Sequence, residues 1–268
     1  MKAIFCLLFL ALIPVVQAED DRPIVDDGGR KKEVRARRDL PTLWIAGDST
    51  VKSPGDMRGW GQEIGAFFDP EKINVVNHAI GGRSSRTFYT EGRWQAILDE
   101  LQEGDFVIIQ FGHNDVGPTD ARSKFRGSVK GTGDETEEVE LPDGRIETVR
   151  TYGWYLKEYA RTAKAKGAFV VLCSPVPHKR FDADGHYLGD WEEWSGWVAR
   201  CARETEVGFI DLADLIGRRY KRMGLEEVAP LFADKGTHTT AAGARLNAEV
   251  LADALKRLPG KPLRRYFD

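Results

Sequence analysis

Five short apolar runs, at residues 42–46, 73–79, 106–111, 169–173 and 208–212, alternate with longer segments of mixed polarity, and this alternation constrains the fold more than any other feature. The runs are rich in Val, Ile and Phe, and several are nearly continuous, as strands covered on both faces must be. Segments 60–68, 93–103, 152–166 and 191–206 carry helical periodicity, and 211–223 and 240–258 follow the last run. Strand and helix repeated in this way predict an α/β protein, a three-layer α/β/α sandwich around a central five-stranded parallel sheet. In such sheets ligands bind beyond the carboxyl ends of the strands.

Residues 40–268 suit a single domain, since nothing within them has the composition of an interdomain linker. Residues 1–18 read as a signal peptide: Lys2, an apolar stretch from Ala3 to Val16, then small residues Val16 and Ala18 flanking Gln17. The apolar stretch is short for a membrane span. An uncleaved N-terminal anchor is the other reading. Residues 19–39 are charged and poor in apolar side chains, so a disordered or loosely attached leader is expected. Cleavage would give a secreted or periplasmic protein with no further tie to the membrane. The net charge of −3, or −4 once Lys2 is removed, gives no electrostatic reason to expect nucleic acid as a partner. The basic stretch 30–38 is local to the leader and reads as a solvated tail.

Cys6 would leave with the signal, so Cys173 and Cys201 remain, one in a strand-like run and one in a helix-like run. Two buried thiols are expected rather than a bridge. No CxxC pair or HxxxH helix is present, so no metal site is expected. One polar insertion, at about 123–150, breaks the strand–helix rhythm. Leu141-Pro142-Asp143-Gly144-Arg145 reads as a turn between 137–140 and 146–150, forming either a hairpin near the mouth of a site or a solvated excursion without a role.

Four blocks could carry chemistry. Gly47-Asp48-Ser49-Thr50 follows the first strand, where a sharp turn would project Ser49 as a nucleophile; a serine there also commonly caps a helix. Asn77 to Ser84 follows the second strand, and its Gly81-Gly82 pair could turn a backbone N–H toward an anion. Gly112-His113-Asn114-Asp115 follows the third, and an asparagine amide can complete an oxyanion hole. Asp234-Lys235-Gly236-Thr237-His238 precedes the last helix, where an imidazole could take a serine proton while a carboxylate holds its tautomer. No GxSxG elbow and no GxGxxG after a strand occur, which disfavours an α/β-hydrolase and a dinucleotide enzyme.

The order of these blocks, Ser, Gly, Asn, then Asp and His, is more specific than any one of them. From about Leu43 to Ala254 the chain resembles the SGNH (GDSL-like) hydrolase superfamily, in particular rhamnogalacturonan acetylesterase-like enzymes. The marks are Gly47-Asp48-Ser49-Thr50, Gly59-Trp60-Gly61, Asn77-His78-Ala79, Gly82-Arg83-Ser84, Phe111-Gly112-His113-Asn114-Asp115 and Thr237-His238-Thr239. The resemblance implies a flavodoxin-like sheet, Ser49 as nucleophile, His238 as base, and an oxyanion hole from the Ser49 and Gly82 N–H groups with the Asn114 amide. It departs at one place: the family's acid usually lies three residues before the histidine, where this chain has Lys235, and Asp234 lies four before. A bulge at Gly236 would let Asp234 reach His238.

The resemblance also implies a secreted carbohydrate esterase that removes acetyl groups from a plant cell-wall polysaccharide, rhamnogalacturonan or pectin first, by two-step acyl transfer without a cofactor or metal. His178, Arg180 and Trp191 could bind that substrate, the aromatic ring by stacking on a sugar and Arg180 by meeting a uronate, whereas Trp194 and Trp197 are read as lining a buried helix face. Two other readings are a non-catalytic glycan-binding relative, suggested by the shifted Asp234, and a lipase or thioesterase of the same fold. Fold and triad do not fix the leaving group, so acetylated xylan stays open.

Overall fold

Strand residues that are apolar at every position must be covered on both sides, and the sheet achieves this by placing successive side chains into two separate cores. In the computed structural model, which describes residues 22–25 and 34–268, strands β1 (Ile24–Val25) and β2 (Val34–Arg35) precede β3 (Thr42–Gly47), β4 (Asn74–Asn77), β5 (Phe106–Gln110), β6 (Thr136–Glu140), β7 (Ile146–Arg150), β8 (Phe169–Cys173) and β9 (Gly208–Ile210). The helices are α1 (Ser85–Thr90), α2 (Arg93–Glu100), α3 (Tyr152–Ala165), α4 (Glu192–Thr205), α5 (Leu212–Met223), α6 (Leu225–Val228) and α7 (Ala241–Leu255). Five parallel strands form the central sheet in the order β4-β3-β5-β8-β9. The chain leaves β3 on one side for β4 and returns on the other for β5, so a crevice opens at their carboxyl ends.

Leu43, Ile45, Val75, Ile108 and Val171 meet Ile216 of α5 and Leu251 and Leu255 of α7 on one face. Trp44, Ala46, Val76, Val107, Ile109 and Leu172 meet Ile97 of α2, Leu156 of α3 and Val198 of α4 on the other. Burying each such Leu, Ile or Val contributes about 1.5–3 kcal/mol relative to exposure. The expected three-layer α/β/α sandwich with five parallel strands is therefore the fold observed. Cys173 and Cys201 are both buried and unbridged. No helix among the described residues is long and apolar enough to cross a membrane.

Several boundaries differ from the sequence reading, each for a local reason. Segment 60–68 is not one helix but two 3-10 turns, Trp60–Gln62 and Ile64–Phe67. Trp60 N–H and Gly61 N–H donate to the Thr50 and Val51 carbonyls, 3.1 and 3.0 Å away, drawing this backbone onto the nucleophile loop instead of into helical bonds. Strand β4 stops at Asn77 because its Oδ1 accepts the Ala79 N–H, and β9 stops at Ile210 because Asp211 caps α5 by accepting the Asp214 N–H. Helix α1 was not foreseen; Ser84 caps it by accepting the Thr87 N–H.

The signal-peptide segment 1–18 lies outside the described residues, as do 19–21 and 26–33 of the leader. The described part of the leader packs beside β4. There β1 pairs antiparallel with β2, Ala36 is buried, and Arg37 N–H donates to Asn74 Oδ1 at 2.8 Å. The hairpin within 123–150 is present as β6 and β7, one residue longer at its start. It is anchored by Glu147, which accepts two 2.8 Å hydrogen bonds from the fully buried Arg86 guanidinium of α1.

Candidate active site

Gly47 ends β3 where no side chain fits: a Cβ would stand 2.4 Å from Val51 Cγ2 and 2.9 Å from the Gln110 carbonyl oxygen. The next residue, Asp48, is fully buried and turns the chain by accepting the Thr50 N–H (2.8 Å) and hydroxyl (2.7 Å) at Oδ1. Behind the turn, Gln110 accepts the Trp60 indole N–H at 2.8 Å and donates to Thr50 Oγ1 at 3.1 Å, so the Gly59-Trp60-Gly61 motif braces the same loop. Ser49 emerges half-buried, its Oγ 2.9 Å from His238 Nε2.

The four-residue spacing brings Asp234 to His238 after all. Oδ2 of Asp234 lies 2.6 Å from His238 Nδ1, while Oδ1 accepts the N–H groups of Gly236, Thr237 and His238 at 2.9, 2.7 and 3.0 Å. Partial burial pushes this carboxyl upward, but the His238 ring and the three N–H donors outweigh burial and hold it well below the usual carboxylate range. The loop is fixed from both sides: Lys179 N–H donates to the Gly236 carbonyl at 2.9 Å, and Thr239 Oγ1 donates to the Arg58 carbonyl at 2.6 Å.

The loop after β4 carries the two glycines. A Cβ on Gly81 would stand 3.6 Å from Ser49 Cβ, and Gly82 adopts φ +76°, a left-handed conformation that favours glycine. Asn114 Nδ2 donates to the Arg83 carbonyl at 3.1 Å, which fixes the amide's orientation and leaves its second N–H for a ligand. Neither the Ser49 nor the Gly82 N–H has an acceptor among the described residues. Three N–H donors, on the loops after β3, β4 and β5, are thus left without an acceptor among the described residues, and such donors can stabilise negative charge developing on a carbonyl oxygen.

The sequence reading missed the group that ties these loops together. Asp115, fully buried, accepts the Ser85 hydroxyl and the Ser128 hydroxyl, both at 2.6 Å, and the Ser85 N–H at 3.1 Å. Burial raises its carboxyl to about 6 against the pull of these donors. Tyr159 Oη donates to the Ser85 carbonyl from α3. The only signal in the sequence was adjacency to Asn114.

His178 and Trp191 are brought together beside the nucleophile loop. Their rings stack with centroids 5.3 Å apart, and His113 stands edge-on to both, at 4.9 and 4.8 Å. His178 Nδ1 is 2.5 Å from Asp190 Oδ2, and His113 Nδ1 is 3.6 Å from Asp48 Oδ2. Arg180 is exposed on the loop that carries His178, its carbonyl accepting the Leu188 N–H at 3.0 Å. Trp194 is buried against Tyr152 and Trp197 packs on it, as read for a buried helix face. The group most like a metal ligand set among the described residues is Asp182, Asp184 and His186, whose ligand atoms lie within 4.8 Å of one another. There Asp182 Oδ1 accepts the Asp184 and His186 N–H groups, which makes the cluster a surface turn.

Comparison with known proteins adds to this geometry. The sequence model of the GDSL-like Lipase/Acylhydrolase family matches residues 45–246. A probable rhamnogalacturonan acetylesterase of Bacillus subtilis is 36% identical over 229 residues, covering 82% of this chain and 94% of the relative. A rhamnogalacturonan acetylesterase of Emericella nidulans is 34% identical over 214 residues, covering 80% and 84%. Among solved structures, the YXIM protein of Bacillus subtilis matches with a TM-score of 0.65 at 26% identity, over 84% of this chain and 59% of that one. An acetylxylan esterase of Geobacillus stearothermophilus shares the fold, with a TM-score of 0.52 at 18% identity over 81% and 93% of the two chains.

Proposed function

We propose a function from one premise: this chain belongs to the GDSL-like lipase/acylhydrolase family, whose sequence model spans residues 45–246. It is an acetylesterase of acetylated, pectin-like polysaccharide, and in our reading a secreted one that deacetylates rhamnogalacturonan through a Ser49–His238–Asp234 triad. The observation that carries the mechanism is the unbroken chain of contacts, 2.9 Å from Ser49 Oγ to His238 Nε2 and 2.6 Å from His238 Nδ1 to Asp234 Oδ2. The shift of the acid by one residue suggested a non-catalytic relative, and the second of these contacts removes that reason. The names of the Bacillus and Emericella relatives support the substrate, and residues 1–18 support secretion.

In the first step Ser49 Oγ bonds to the acetyl carbonyl carbon as His238 Nε2 takes its proton. The carbonyl electrons move onto oxygen, which meets the Ser49 and Gly82 N–H groups and the Asn114 amide; one such donor is worth about 3–4 kcal/mol in the transition state. Collapse breaks the bond to the sugar oxygen, which leaves with the proton from His238, and the acetyl group stays on Ser49. A water molecule, deprotonated by His238, then attacks the acetyl-serine; the bond from the acyl carbon to Ser49 Oγ breaks, Oγ takes the proton back from His238, and acetate departs. Asp234 keeps the Nδ1 proton on His238, so that Nε2 faces Ser49 as an acceptor.

Acetate release across acetylated rhamnogalacturonan, homogalacturonan and xylan tests the reading. We expect the highest kcat/KM on rhamnogalacturonan. Equal or higher values on xylan would overturn the substrate, and release from none of the three would overturn the function.

A further inference from the structure

The loop between β5 and the hairpin carries a cation that no carboxylate among the described residues neutralises. The guanidinium of Arg126 lies against Gly82: a Cβ built on that glycine would be 3.1 Å from Nη2, 3.3 Å from Cζ and 3.4 Å from Nη1. Gly81, next in line, faces Ser49. Arg126 is half-buried, and among the described residues its guanidinium has neither a carboxylate partner nor a hydrogen-bond acceptor. The nearby cations differ. Arg83 is committed to Glu91 at 2.9 Å, a carboxylate it shares with Arg93, and Arg86 is closed around Glu147.

The backbone is arranged to hold Arg126 in this place. Lys124 and Phe125 both adopt left-handed conformations, φ 59° and 60°, unusual for residues with a Cβ and typical of sites where local strain serves a function. The Ser123 hydroxyl accepts the Arg126 N–H at 3.1 Å and the Gly127 N–H at 3.2 Å. On the far side, the Thr119 and Gly127 carbonyls each accept from Arg86 Nη1 at 2.8 Å. Two strained residues and a clamp on either side fix an unpaired planar cation beside the anion cradle. A fork of N–H donors in that position fits a planar carboxylate presented by the ligand.

We propose that Arg126 is a specificity-determining residue that binds a uronate carboxylate of the acetylated polymer. The inference deepens the reading above and depends on it. That reading names a class of polymer; Arg126 names the group on it that is recognised, and distinguishes an acidic acetylated glycan from a neutral one of the same shape. A hydrogen-bonded charge pair of this kind is worth about ten-fold or more in affinity.

The test compares acetate release from two forms of one acetylated rhamnogalacturonan oligomer, with its uronates free and with them methyl-esterified. The wild-type protein is expected to show a kcat/KM about ten-fold or more higher on the free acid. In Arg126→Gln that ratio is expected to fall toward one, the loss appearing mainly in KM, with Arg126→Lys restoring part of it. A wild-type protein that releases acetate without preferring the free acid overturns the role of Arg126 and leaves the esterase standing. So does an Arg126→Gln protein that keeps the wild-type ratio, including one that changes only inhibition by free acetate. A wild-type protein inactive on both forms overturns the underlying esterase reading as well.

Discussion

Asp234 Oδ2 stands 2.6 Å from His238 Nδ1 although the two residues are four apart, because the other oxygen of the same carboxylate gathers the N–H groups of Gly236, Thr237 and His238. One carboxylate therefore builds the loop and orients the imidazole. Asp234→Asn keeps an acceptor for the N–H groups but presents an amide donor to Nδ1, which favours the wrong tautomer. The expected result is a fall in kcat of about 10³–10⁴ with KM little changed, measured on p-nitrophenyl acetate.

The same carboxylate should be visible in acid. Its value in the folded protein is depressed below the ordinary 3.8, so the unfolded chain binds the proton more readily. The stabilisation is thus fully present above about pH 4 and is lost as pH falls through the folded value. Asp234→Asn lacks this contribution at every pH. Melting curves of the two proteins should lie apart at pH 7 and converge progressively below about pH 4; a constant separation would contradict the depressed carboxyl.

The Asn114 amide is fixed by the Arg83 carbonyl and keeps a second N–H free for a ligand, which the proposed mechanism assigns to the oxyanion. Asn114→Ala should lower kcat about 10²–10³-fold while KM changes little, because the lost bond forms only as the carbonyl oxygen becomes charged. A change confined to KM would place Asn114 in ground-state binding instead.

How much of this was legible in the sequence depended on whether the cause was local. Residues 106–111 read as a strand because Phe106, Val107, Ile108 and Ile109 are apolar in succession, as a strand buried on both faces requires, with Gln110 the one polar side chain in the run. The four blocks were legible because each directly follows a strand or precedes the last helix. Segment 60–68 misled because Trp60 and Ile64 have helical spacing and are both buried, yet Gly59 and Gly61 press the backbone onto Val51, whose carbonyl accepts the Gly61 N–H. The bonds from Asp115 to Ser128 and the seating of Arg126 on Gly82 join positions that no periodicity relates, and only the fold brings them together.

Arg86 is fully buried with its charge met by Glu147. Removing one partner of such a pair leaves the other uncompensated, so Glu147→Ala should destabilise the protein by about 3–5 kcal/mol. Glu147→Gln, which can still accept from the guanidinium, should cost less. Urea unfolding of the three proteins checks the order.

The account turns on the Ser49 hydroxyl as the atom that receives the acetyl group, and turnover by Ser49→Ala is the most direct measurement of it. With p-nitrophenyl acetate as substrate and circular dichroism to verify the fold, kcat should drop by about 10⁴ or more. A correctly folded Ser49→Ala protein that turns over at the wild-type rate would contradict the claim.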